Sequence, residues 1–159
     1  IEIGEMTDKI RAAVGARSDS DFVIIARTGA VHNESFEKAI ERGNAYADAG
    51  ADLVMLMPTN ETEWQEAPRR IGVPLATITS LDTRLPTEWA TLGWDLIIDP
   101  FTAQTAAVNA ISAAYQQFRH SGTTGLDRHE ISAHYRLLPD IAGFQELYEI
   151  EDRTTEKPS

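Results

Sequence analysis

The sequence predicts an α/β fold built on a parallel sheet, and three observations carry the prediction. Short apolar, β-branched runs alternate with helical stretches. The runs begin near positions 22, 52, 73 and 95, at offsets of 30, 21 and 22 residues, which suit strand–helix units. One pattern also recurs: Gly50-Ala51-Asp52-Leu53-Val54-Met55 and Gly93-Trp94-Asp95-Leu96-Ile97-Ile98 each give a helix stop, one residue, an Asp and a hydrophobic strand. The crossovers are expected to be right-handed. Four such strands make either a small open sheet or half of an eight-stranded barrel. In both cases chemistry belongs at the carboxyl ends of the strands.

Glu5–Val14 reads as a helix. Asp21–Ala26 is rich in β-branched residues and reads as a strand buried on both faces. Arg27-Thr28-Gly29-Ala30 begins a loop to Asn33. Asn33 or Ser35 can cap a helix over Phe36–Ala49, which Gly50 stops. Ala51–Met57 is the second strand, ended by Pro58. Thr59–Arg70 reads as loop and then short helix, and Val73–Thr79 as the third strand, with Pro74 tolerable at its start. Leu85–Leu92 is a short helix with Pro86 near its beginning and Gly93 after its end. Asp95–Asp99 is the fourth strand, ended by Pro100. Thr102–Arg119 is an Ala-rich helix stopped near Gly122. A helical region over about Leu126–Glu151 follows, broken near Pro139 and Gly143, and Thr154–Ser159 reads as a disordered tail.

Composition narrows the function classes. The 159 residues carry 14 Lys+Arg against 25 Asp+Glu, a formal net charge of −11, and no cysteine. Lack of Cys removes disulfides, Cys-type zinc sites, iron–sulfur clusters and a thiol nucleophile from this chain. Acidity argues against nucleic acid as a partner. The longest apolar runs, Leu53–Met57 and Phe22–Ala26, fall far short of the roughly 20 residues that cross a bilayer. Ile1–Val14 is charged and lacks the apolar core of a signal peptide, so no membrane association and a cytoplasmic location are expected.

Candidate residues follow from the strand ends. Arg27 sits where the first strand emerges after five apolar residues, placed to hold a carboxylate or phosphonate bidentately; the plainer role is an ion pair with an acidic loop residue. Asp99 ends the fourth strand and suits a metal ligand, a base or, more simply, the cap of the helix after Pro100. Asp52 and Asp95 begin strands and read as structural. His129 and His134 are five apart and do not share a helix face as a zinc pair would; with His120 they read as surface residues, whereas His32 follows the first strand. Gly122–Gly125 lacks the Lys-Ser/Thr of a phosphate loop. Val108, Ile111, Tyr115 and Phe118 form an apolar stripe, read as core or interface.

One set of stretches is more specific than periodicity. Lys9-Ile-Arg-Ala-Ala-Val14, Ala16-Arg17, Asp21-Phe-Val-Ile-Ile-Ala-Arg-Thr28, Ala39-Ile-Glu-Arg42, Ala45-Tyr-Ala47 and Ala49-Gly-Ala-Asp52 occur in order. Together they resemble the isocitrate lyase/phosphoenolpyruvate mutase superfamily, whose members read K-I-R-A-A, D-F-V-I-x-A-R-T-D-A and A-I-E-R-A-x-A-Y-x-E-A-G-A-D. Val73-Pro74, Leu92-Gly93 and Asp99-Pro100 fit more loosely. The resemblance implies the C-terminal half of a (β/α)8 TIM-type barrel: a half barrel over 1–122 with strands five to eight, a helical extension over 123–153, and a tail over 154–159. It implies a helix exchanged between subunits of a homodimer or homotetramer, and the missing N-terminal half of the same protein as a partner.

The resemblance also implies a Mg²⁺-dependent lyase that acts on a small 2-oxo or hydroxy carboxylic acid through an enolate-like intermediate. Its Mg²⁺ ligands and its Lys-Cys-Gly-His catalytic loop would lie in that other half, so no catalytic residue is expected in this chain. The family's substrate-binding Arg carries over to Arg27, with Thr28, Asn60 and Thr79 expected to line the pocket. Gly29 stands where the family has Asp, and Met57 where it has Glu. The segment after Pro74 is several residues shorter, without the family's Asn and Gly-rich loop, and Asp99-Pro100 replaces a Tyr-Pro. These departures leave a second reading open: a degenerate, non-catalytic member with a small-acid binding or assembly role.

Overall fold

The computed structural model describes residues 1–155. The tail expected over 154–159 lies outside the described residues from position 156 on, and Thr154 is the last residue of a helix. The chain divides into two compact units, Ile1–Thr105 and a second beginning at Ala106. The division falls inside the helix over Thr102–Ser121.

The first unit alternates strand and helix as anticipated. Helix α1 (Ile3–Ala16) leads to β1 (Ile25–Arg27), a one-turn helix α2 (Ala30–Asn33) and α3 (Phe36–Asp48). Then come β2 (Leu53–Met55), α4 (Glu61–Arg70), β3 (Leu75–Ile78), a 3₁₀ turn over Leu81–Thr83, α5 (Pro86–Leu92), β4 (Leu96–Ile98) and α6 (Thr102–Ser121). The strands pair in sequence order, β1-β2-β3-β4, and every pairing is parallel. Sequential order with parallel pairing is the arrangement of a βα-barrel segment.

Local chemistry fixes the helix ends. Ser35 accepts a hydrogen bond from the Lys38 amide and starts α3; Asn60 does the same for α4 through Glu63 N–H. Gly93 takes φ 90°, the left-handed backbone that lets α5 end and β4 begin at once. Pro68 lies inside α4.

The Gly-x-Asp repeat is a register device. Ile24 N–H donates to Asp52 Oδ2 (2.7 Å), while Asp52 N–H returns a bond to Ile24 O (2.9 Å). Leu75 N–H donates to Asp95 Oδ2 (2.9 Å), and Asp95 N–H returns one to Leu75 O (3.0 Å). Each Asp thus clasps the start of the preceding strand, at Ile24 just before β1 and at Leu75, the first residue of β3. Arg17 adds an ion pair to Asp52 at 2.7 Å. The structural role expected of both Asp residues is what they perform.

One sheet face carries the core. Ala26, Val54, Leu56 and Leu75 pack with Ile10, Ala39, Ile40, Tyr46, Ala67 and Ile71. Helix α1 packs on α3, α3 on β2 and α4, and α4 on α5. Trp64, Trp89 and Trp94 meet edge to face, with centroids 4.9–6.5 Å apart, and the Trp94 indole donates to Trp64 O at 3.0 Å.

The strand expected over Asp21–Ala26, buried on both faces, is corrected. β1 is Ile25–Arg27, and Phe22 and Val23 are 65% and 52% exposed. The physical reason is that helices cover one face of an edge strand: Ala26 is buried beneath them, while Ile25, on the alternate face, is exposed. The expected loop over 30–33 is instead the helical turn α2.

In the second unit, the rest of α6 is followed by α7 (Arg128–Ile141), which contains Pro139, and α8 (Gln145–Thr154). None of α6, α7 or α8 has a buried residue. The stripe of Val108, Ile111, Tyr115 and Phe118 is therefore exposed.

Candidate functional site

The carboxyl ends of the four strands lie side by side, in the order Arg27-Thr28, Met57–Asn60, Thr79–Asp82 and Asp99–Phe101. Three of these four ends are braced by their own side chains. After β2, Asn60 Oδ1 accepts from Glu63 N–H (3.1 Å) and its Nδ2 donates to Thr59 Oγ1 (3.4 Å). Glu63 accepts in return from Thr59 N–H at 2.7 Å. Burial pushes the Glu63 carboxyl up, but the hydrogen bonds from Thr59 and Asn60 outweigh it and hold the group below its ordinary value.

After β3, Thr79 N–H donates to Ile98 O (3.0 Å), and its hydroxyl lies 3.0 Å from that of Thr83. Arg84, a little further on, pairs with Glu61 at the start of α4 and stacks 5.4 Å over the Trp89 ring. The loops after β2 and β3 are thereby joined.

After β4, Asp99 is saturated. It accepts from the Thr102 hydroxyl and from the amides of Leu81, Thr102 and Phe101. The Thr102 hydroxyl, then these amides, hold its carboxyl far below the usual carboxylate range. So depressed a group is a poor base, and Asp99 serves as the cap of α6, the simplest of the roles its position allowed.

The end of β1 differs. Thr28 is 3% exposed; its N–H donates to Met55 O (2.9 Å) and its hydroxyl accepts from Ala30 N–H (3.2 Å). This turn presents Arg27 to solvent. Among the described residues no ion pair or hydrogen bond engages the Arg27 guanidinium, so the plainer ion-pair role is not the one the structure shows. Arg27, Thr28, Gly29, Asn33, Glu34 and Arg42 share one cavity of about 300 Å³. Glu34 is the only acid among its lining residues, and Arg42 holds it at 2.8 Å. Asn60 and Thr79 do not line that cavity.

Gly29 is occupied space in a specific sense: a Cβ there would lie 3.0 Å from Asn33 Nδ2, which donates to Gly29 O. His32, His120, His129 and His134 are all exposed. Among the described residues no three His, Asp or Glu side chains converge on one point. The described side chains by themselves do not fit a Mg²⁺ cage. Among the described residues no helix is long and apolar enough to cross a membrane.

Sequence reasoning missed Arg42 and Glu34. The available signal was an Arg amid the apolar positions of α3, between buried Ile40 and Gly43. A long cation on such a face implies a buried partner.

Fold and site together define a parallel β/α protein with an unpaired, solvent-facing guanidinium at its first strand end. The phosphoenolpyruvate phosphomutase family matches residues 1–119, and the chain belongs to that family. It is 35% identical over 124 residues to a 2-methylisocitrate lyase of Aeropyrum pernix, covering 75% of this chain and 40% of that protein. It is 31% identical over 153 residues to a 2,3-dimethylmalate lyase of Eubacterium barkeri, covering 92% of this chain and 52% of that protein. Among solved structures, a 2,3-dimethylmalate lyase of the same superfamily superposes with a TM-score of 0.77 at 27% identity, over 99% of this chain and 56% of that one. A phosphonopyruvate hydrolase in complex with oxalate and Mg²⁺ superposes with a TM-score of 0.70 at 27% identity, over 98% and 57%. The chain spans about half the length of the curated relatives it matches. The fold is that of one half of these TIM-type barrels.

Proposed function

We propose that the protein carrying this chain is a lyase that cleaves a carbon–carbon bond in a small 2-oxo or hydroxy carboxylic acid, with Arg27 holding a carboxylate of the substrate. The observation that carries this reading is the unpaired Arg27 guanidinium at a strand end, inside a cavity of about 300 Å³. A guanidinium offers two parallel N–H donors to a carboxylate. The family membership and the small-acid lyases among the relatives support the substrate class.

Thr28 fixes the turn that presents Arg27. Asn60 and Thr79 stand on the same end of the sheet and would border a larger substrate. Mg²⁺, as in the related phosphonopyruvate hydrolase complex, would neutralise negative charge on the bound acid. The residues described here do not themselves form its cage, so its ligands would come from the complementary half of the barrel. That half would also cover the open sheet face bearing Ile25, Leu53 and Ile98. The exposed stripe of α6 suits pairing with a second copy, as a homodimer or homotetramer.

A second reading has one observation in its favour: Glu34, the only acid lining the Arg27 cavity, is already committed to Arg42. With Gly29 and Met57 where the family has carboxylates, the site binds an acid without acting on it.

The test is a titration with oxalate and a Mg²⁺-dependent lyase assay on the intact protein, with Arg27→Ala beside wild type. Losing a charge-assisted contact weakens binding about 10- to 100-fold. Turnover with that loss supports the lyase; binding without turnover of any 2-oxo or hydroxy acid supports the second reading. Equal affinity of Arg27→Ala and wild type refutes both.

A further inference from the structure

We infer that the Arg42–Glu34 ion pair is a positioning device for Arg27, setting the turn that aims the guanidinium into its cavity. The inference rests on the reading of Arg27 given above and adds a residue that acts through it.

Arg42 projects from α3 with its side chain only 13% exposed. It ties two other segments to its own helix. Nη2 meets Glu34 Oε1 at 2.8 Å, at the end of the turn that Arg27 begins. Nη1 donates to Ile1 O at 3.0 Å, just before α1. The same nitrogen reaches Tyr46 Oη at 3.4 Å, one turn along α3, and Tyr46 is 2% exposed. The tyrosine is therefore a fixed wall, and Arg42 is held against a rigid helix.

Apolar packing holds the middle of the turn, where Ala30 is buried and Val31 packs against the core, but its polar ties are few. Its other polar bonds are local: Thr28 Oγ1 with Ala30 N–H, Gly29 O with the His32 and Asn33 amides and Asn33 Nδ2, and Ala30 O with the Glu34 amide at 2.8 Å. Thr28 N–H to Met55 O anchors only its first residue. Among the described residues, Glu34 to Arg42 is the one side-chain tie from Arg27–Glu34 to a distant element. Without it the Glu34 end of the turn loses its tether and the lining of the Arg27 cavity loosens, while Arg27's backbone stays paired in β1 and Ala30 stays packed in the core. Both ends pinned leaves the cavity around the guanidinium pre-formed, so less ordering cost falls on the ligand.

A pairing at 38% exposure of the acid would contribute little to global stability. Its effect is local, and the experiment separates the two. Glu34→Gln and Arg42→Gln are made in the intact protein, with Arg42→Lys as the conservative variant. Three quantities are measured: the melting temperature, the hydrogen-exchange protection of the Asn33 and Glu34 amides against those of α3, and the affinity for oxalate. Glu34→Gln is expected to lower protection of the turn amides and leave α3 unchanged. Oxalate affinity falls about 3- to 10-fold, as the turn spends less of its time in the competent pose. Arg42→Gln gives the same pattern, and Arg42→Lys restores part of it. A purely structural pair would instead lower the melting temperature while the folded protein kept its turn protection and affinity; that result overturns the inference. Wild-type turn protection and affinity in both Gln variants overturn it as well. If Arg27→Ala binds oxalate like wild type, it is the Arg27 reading that fails, and the exchange data still decide whether Arg42 orders the turn.

Discussion

Replacing Gly43 with Ala should destabilise the protein, although helix propensity alone says the reverse. Gly43 lies inside α3, where Ala is favoured over Gly by about 0.8–1.0 kcal/mol. A Cβ built at this position stands 2.7 Å from Ile71 Cδ1, 3.2 Å from Ile71 Cγ1 and 3.4 Å from Val54 Cγ1. The first distance is far inside van der Waals contact. Ile71 is 5% exposed and Val54 is 0% exposed, both within the core cluster. Swinging the Ile71 methyl aside therefore displaces other packed atoms. Such overpacking costs about 1–3 kcal/mol, and subtracting the propensity gain leaves a net loss of about 1 kcal/mol. Urea unfolding followed by circular dichroism would read this as a midpoint lowered by about 0.5 M. Ile71→Val deletes the offending Cδ1 at a cost of about 0.5–1.5 kcal/mol when made alone. In the Gly43→Ala background it should cost less, because it removes the clash. A raised midpoint for Gly43→Ala refutes the reasoning. So does additivity of the two changes to within about 0.5 kcal/mol.

Other predictions concern the acid limb and the tryptophan cluster. The Ile24 amide and Arg17 hold Asp52 below its ordinary pKa, and Thr102 with the neighbouring amides does so for Asp99. A folded pKa below the unfolded one gives stability that is full above pH ~4 and is lost as pH falls further. The melting temperature should therefore hold down to about pH 4 and drop as the pH falls below it. Asp99→Asn should melt lower at pH 6 yet lose less on acidification; an unchanged slope would count against the cap. Trp94→Phe leaves Trp64 O without its indole donor and opens a void. It should cost about 2 kcal/mol and flatten the near-ultraviolet circular dichroism of the three-ring cluster, and a variant with wild-type stability and spectrum would show the contact to be idle.

The parts of the fold written in local sequence were the legible ones. Gly50 and Gly93 mark helix stops, and the Asp two residues later marks each strand start because its side chain has a fixed task there. Ser35 and Asn60 are caps by chemistry. Phe22 and Val23 misled because an apolar run reports hydrophobicity, not whether a neighbouring layer exists to cover it. The α2 turn was hidden because Gly29–Asn33 has no apolar period. At the site, Arg27 was legible from its place after a hydrophobic run. Arg42 and Glu34 were not, since their importance lies in meeting across a turn. The tryptophans at 64, 89 and 94 follow no common spacing, and only the fold brings them together.

The clasps at Asp52 and Asp95 have a consequence for how the sheet can be divided. They lock β1 to β2 and β3 to β4, while the seam between β2 and β3 has none. Pro74, whose carbonyl accepts from Val54 N–H, has no N–H to give in return. The locking period is therefore two strands, not one. The smallest piece that carries a whole lock is a strand, its helices and the next strand with its Gly-x-Asp. Such a piece brings its own alignment rule wherever it is placed. Copied or grafted, it would set its internal register before meeting any neighbour, and only the seam would have to be found anew.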